Sequence, residues 1–154
     1  MNAVQPSSVY RPIILLVEDN PADLRLAQEV LKEAKLDHQL LVARDGEEAM
    51  QILMQQGSHA DDPRPDMVLL DLNLPRKSGR EVLAAVKGDA RLRSIPVLIL
   101  STSKAESDVR ACYDAHANCF LAKPVSIDDF ARLAELIRDF WFGMVQLPPR
   151  TVQA

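Results

Sequence analysis

Residues 13–23 read IILLVEDNPAD (Ile13 to Asp23), and the fold follows from how this stretch divides. Ile13–Val17 are five branched aliphatic residues in a row. A run this short and this apolar reads as a strand covered on both faces. Glu18-Asp19 ends it with two acids. Asn20 is a helix-capping residue whose side-chain oxygen can accept an orphan N–H of the next turn. Pro21 suits the first helical position, where its missing N–H would have had no partner. Asp23, three residues past the cap, lies at the positive end of the helix dipole.

The same order, apolar run then capped helix, returns four times. Further short apolar runs stand at Leu40–Ala43, Met67–Leu70, Val97–Leu100 and Phe120–Ala122. After them come Asp45/Glu48, Ser78/Glu81, Ser103/Glu106 and Ser126/Asp129, each a capping residue followed three positions later by an acid. Successive caps are 25, 33, 25 and 23 residues apart, and one strand–helix unit accounts for the common spacing. The long interval holds GSHADDPRP, Gly57–Pro65, whose composition predicts a surface loop between the second helix and the third strand.

Strands alternating with helices predict an α/β fold, a doubly wound five-stranded parallel sheet with right-handed crossovers. The first, third and fourth strands are apolar throughout, as central strands must be. The second and fifth, HQLLVAR and CFLAK, are more polar and suit edges. The pattern is compatible with the flavodoxin-like (βα)5 order 2-1-3-4-5.

The chain has 154 residues, enough for one domain with its own core. Eighteen basic against 22 acidic residues leave a net charge of −4, which argues against a nucleic-acid partner bound through a broad basic face. No early apolar run approaches the ~20 residues of a membrane span. Met1–Pro12 carries only Arg11 as a base and does not read as a signal peptide. Cys112 and Cys119 make no disulfide framework, and a cytoplasmic protein with reduced thiols is expected.

In such sheets ligands bind beyond the carboxyl ends of the strands, where the strand order reverses. Strand one ends in Glu18-Asp19, strand three in Asp71, strand four in Ser101-Thr102, and strand five in Lys123-Pro124. Three carboxylates so placed repel one another, and a hard divalent cation relieves this. Oxygen donors completed by water suit Mg²⁺ better than Zn²⁺. His38, His59 and His116 fall in no metal-ligand spacing. A cation, an ammonium and a hydroxyl beside a carboxylate suit a phosphoryl group, with Asp71, the end of the central strand, as nucleophile.

The motifs LLVEDN (15–20), LLDLNLP (69–75), LILST (98–102) and FLAKP (120–124) are specific as a set. With them the sequence resembles the receiver domain of two-component response regulators, from about Pro12 to Phe140. The resemblance implies that Asp71 accepts phosphate from a histidine kinase and that Asp19 binds Mg²⁺ directly. It implies that Glu18 binds the ion mainly through water, and that Asn73 lends it a backbone carbonyl. Lys123 pairs with the phosphoryl group, Ser101 hydrogen-bonds it and moves, and Phe120 takes the place of the switch aromatic. Lys123–Pro124 is implied to be a cis peptide. Phe120 stands where many members have tyrosine, and His116 replaces a glycine, a position that implies a positive φ. YDAHANCF (113–120), with the long second loop, resembles the stand-alone regulators of phytochrome-type kinases.

Three segments are expected: a tail over 1–11, the receiver over 12–140, and an extension over 141–154. The stripe Phe130, Leu133, Ile137 continues into Phe140-Trp141-Phe142, Met144, Val145 and Leu147, with Pro148-Pro149 as the stop. That is more apolar surface than one stripe hides. The extension is therefore read as a dimerisation arm meeting a second copy across a two-fold axis; the alternative is that it folds back on its own domain.

Too little chain follows the receiver for an effector domain. The expected role is therefore signalling by the receiver itself, with no enzymatic turnover beyond its own phosphoryl transfer and autodephosphorylation. A phosphorelay intermediate is the nearest alternative. An aspartyl-phosphate phosphatase is disfavoured, because its general acid would be needed at the position of Asn73. A flavin protein is disfavoured because VEDNPAD has no glycine to cradle a phosphate.

Overall fold

The computed structural model describes residues 11–150. Strands β1 (Ile13–Val17), β2 (Gln39–Ala43), β3 (Met67–Asp71), β4 (Val97–Ser101) and β5 (Cys119–Ala122) alternate with five helices. These are α1 (Pro21–Glu33), α2 (Gly46–Leu53), α3 (Gly79–Gly88), α4 (Glu106–Asp114) and α5 (Ile127–Leu136). Every neighbouring pair is parallel, in the order β2-β1-β3-β4-β5. β1, β3 and β4 are buried at every position, and β2 and β5 are largely half-buried, as edges are.

Alternate side chains of β1 serve opposite layers. Leu15 and Val17 join a core with α2 and α3, while Ile14 and Leu16 join one with α1 and α5. This is the two-residue period of a strand covered twice.

Four of the five expected caps form. Asn20 accepts the N–H groups of Ala22 and Asp23, Asp45 that of Glu48, and Ser126 that of Asp129. Ser78 and Glu81 make a reciprocal capping box. The fifth does not form. α4 starts two residues later than a Ser103 cap requires, from Ala105, which has no side-chain oxygen to offer. The reason is a competing local pairing: the Ser103 hydroxyl donates to Asp108, five residues on in the first turn of α4 (2.5 Å), and accepts the Ala105 N–H (3.2 Å) instead.

The Gly57–Pro65 segment is a surface loop with one 3₁₀ turn, Gly57–His59. Arg64 ties it to the Arg91 carbonyl (2.7 Å). His116 has the positive φ expected of it, 71°.

The last helix departs from expectation. α5 does not run on to Pro148 but widens at Ile137–Trp141 into a π turn, with the Phe142 N–H on the Ile137 carbonyl (3.0 Å). The chain then bends at Gly143, where a Cβ would lie 2.3 Å from the Asp139 carbonyl oxygen. Trp141 and Phe142 pack on the α1/α5 core, and Arg150 pairs with Asp66 (2.8 Å). The described part of the 141–154 extension thus lies against its own domain. Residues 1–10 of the expected tail and 151–154 of the extension fall outside the described residues.

Candidate functional site

The carboxyl ends of β1, β3 and β5 bring the charged residues together. Glu18 continues the β1 ladder through its N–H to the Ala43 carbonyl (2.9 Å) and is 3% exposed. Asp19, one residue on, is exposed. Asp71 is the last residue of β3 and is 4% exposed. Carboxylate oxygens of Glu18, Asp19 and Asp71 all lie within 4.8 Å of one another.

Lys123 follows β5, its N–H fixed on the Ser101 carbonyl (2.8 Å). Its ammonium donates to Glu18 Oε1 (2.8 Å) and Asp71 Oδ2 (2.9 Å). It also pairs with Asp23 Oδ2 (3.1 Å). Asp23 is the residue that sequence reasoning did not place here, since its position in the first turn of α1 already accounted for an acid.

Ser101 ends β4 one residue past the partner of Asp71 and is buried; its hydroxyl accepts the Ser103 N–H (3.0 Å). Asn73 is exposed, and its N–H goes to Asp71 Oδ1 (3.1 Å). Phe120 is half-buried against the α2/α3 core, with its N–H on the Tyr113 hydroxyl (3.1 Å). The implied cis bond is absent: no cis peptide occurs among the described residues. Lys123–Pro124 is trans, the lower-energy form for an X–Pro bond by ~0.5–1 kcal/mol.

The electrostatics of the cluster are unbalanced. Burial first, and then the hydrogen bond and charge of Asp71, push the Glu18 carboxyl up to about 8 against the lowering pull of Lys123. Burial pulls the Lys123 ammonium down, but its hydrogen bonds to Glu18, Asp71 and Asp23 outweigh this and raise it. One ammonium therefore serves three carboxylates, and the deepest of them, Glu18, is held well above the usual carboxylate range. An all-oxygen set with too little positive charge fits a hard divalent ion.

A family model described as the response regulator receiver domain matches residues 14–135. The chain belongs to that family. The family is a signalling module, and the sheet order and acidic rim are those of the receiver fold. The chain is 51% identical to response regulator Rcp1 of Synechocystis sp., over 88% of this chain and 92% of Rcp1. The Mn²⁺-bound crystal structure of Rcp1 superposes with a TM-score of 0.83 at 50% identity, covering 90% of this chain and 99% of that one. The phosphorylated cyanobacterial phytochrome response regulator RcpA gives 0.86 at 46% identity, over 91% and 100%. The bacteriophytochrome response regulator AtBRR gives 0.71 at 42% identity, over 86% and 96%. No helix among the described residues of this receiver is long and apolar enough to cross a membrane.

Proposed function

We propose that this receiver takes a phosphoryl group onto Asp71 from the phosphohistidine of a sensor histidine kinase of phytochrome type. The observation that carries the reading is the Lys123 ammonium bridging the buried Glu18 and Asp71 carboxylates at 2.8 and 2.9 Å. In the transfer an Asp71 carboxylate oxygen attacks phosphorus, the P–O bond forms, the P–N bond breaks, and the imidazole leaves with the bonding pair. Asp19, Asp71, the Asn73 carbonyl and, mainly through water, Glu18 would hold Mg²⁺, which when bound would neutralise charge on the phosphoryl oxygens. Lys123 adds a second positive charge, and Ser101 gives up the Ser103 N–H to donate its hydroxyl to the phosphoryl group.

The β4–α4 loop follows Ser101, Phe120 changes rotamer, and the face of α4, β5 and α5 is altered. The kinase assignment draws on the likeness to RcpA, a cyanobacterial phytochrome response regulator. The working unit is the 12–140 receiver in the cytoplasm, without turnover of a separate substrate beyond its own dephosphorylation. It forms a homodimer through the 141–154 region, where Met144 (75%) stays exposed next to Phe140 (45%) at the end of the receiver.

Phosphotransfer profiling tests the partner. A phytochrome-type histidine kinase should label the protein fastest among a panel, and equal rates from unrelated kinases would contradict the assignment. Truncation after Phe140 with light scattering tests the dimer: the mass should fall to that of one chain, and an unchanged mass would remove the arm.

A further inference from the structure

We propose that Asp23 is a positioning residue of this site, holding Lys123 and dividing the site's charge between metal and phosphoryl group. The proposal rests on the reading of Asp71 given above. The first argument is local. Asp23 and Glu81 stand at the same place, three residues after a cap, in α1 and α3. Glu81 returns its carboxylate to the Ser78 N–H (3.1 Å), closing the capping box. Asp23 lends Asn20 only its own N–H and sends its carboxylate to Lys123 at 3.1 Å.

The second argument is a count of donors. An ammonium has three N–H bonds, and Lys123 engages Glu18, Asp71 and Asp23 with them. Glu18 and Asp71 belong to the metal-ligating set. Asp23 is the partner that remains for Lys123 once a cation claims the other two. The cavity that Glu18, Asp23 and Lys123 border is otherwise lined by apolar side chains, among them Leu16, Leu100 and Phe130. No other charged side chain stands along that lining to hold the ammonium.

The charge of Asp23 acts on the two ligands with opposite sign. It attracts a divalent cation, repels a phosphoryl dianion, and competes with that dianion for Lys123. Asp23→Asn removes the charge and keeps an oxygen that can accept from Lys123. By isothermal calorimetry it should weaken Mg²⁺ binding about fivefold, the scale of one partly exposed charge. At saturating Mg²⁺ it should tighten beryllofluoride, the phosphoryl mimic, by about the same factor. Asp23→Glu, which keeps the charge, should stay near wild type in both.

A merely structural role would weaken both ligands together, and that result overturns the proposal. So do a change below twofold in both, complete loss of Mg²⁺ binding, or an Asp23→Glu variant that behaves like Asp23→Asn. Asp71→Asn keeps the two readings apart. Beryllofluoride that binds neither wild type nor this variant, or binds both alike, contradicts the role of Asp71 itself.

Discussion

At the scale of single residues, the site is a buried ammonium shared by more carboxylates than it can neutralise. Lys123→Ala leaves Glu18 and Asp71 buried without it and should cost about 2–4 kcal/mol by urea denaturation in EDTA. Glu18→Gln acts the other way. It removes the carboxyl that burial disfavours most and keeps an oxygen for Lys123, so in EDTA it should stabilise by about 1 kcal/mol. A loss there would show that the cluster is not strained by its charge. Glu18, Asp19, Asp71 and Lys123 were legible because each follows an apolar run, and strand ends in a parallel sheet converge. Asp23 was not, because a carboxylate in a helix's first turn already has a sufficient local explanation. Ser103 misled because S-x-x-E has a local rival: Asp108, five residues on rather than three, took the hydroxyl.

At the scale of elements, the five repeats were read from period and caps, and what the sequence left open lies at helix ends. α4 starts from Ala105, in an extended conformation (φ −67°, ψ 126°) that suits a capping side chain. Ala105→Asp should therefore stabilise by about 0.5–1 kcal/mol, seen as a higher Tm. Ser78→Ala breaks the capping box of α3 and should cost about 1 kcal/mol. Gly79 is tighter still, since a Cβ there would lie 2.4 Å from the Asp71 carbonyl oxygen. Gly79→Ala should cost about 2–3 kcal/mol in thermal or urea unfolding, because the clash falls on backbone that cannot turn aside. The π turn after α5 gave no sequence signal. Ile137, Trp141 and Phe142 are as apolar as a continuing helix would need, and the chain nonetheless turns at Gly143, where only a residue without a Cβ fits against the Asp139 carbonyl.

At the scale of the whole molecule, one end of the sheet is acidic and chemical while the other is tied mechanically. Asp66, 8% exposed, takes the Ile13 N–H (2.8 Å) and the Arg150 guanidinium (2.8 Å), joining the start of β1 to the C-terminal segment. Because Arg150 is itself half-exposed, Arg150→Ala should cost no more than about 1 kcal/mol while speeding amide exchange over Val145–Leu147. The central claim concerns the opposite end, and one measurement meets it directly. The protein is treated with acetyl phosphate and Mg²⁺, the base-labile adduct is reduced with borohydride, and the modified residue is located by mass spectrometry. The account predicts a single homoserine at position 71, absent when EDTA replaces Mg²⁺ and absent in Asp71→Asn. Label at another residue, or label at 71 that forms as well in EDTA, would contradict it.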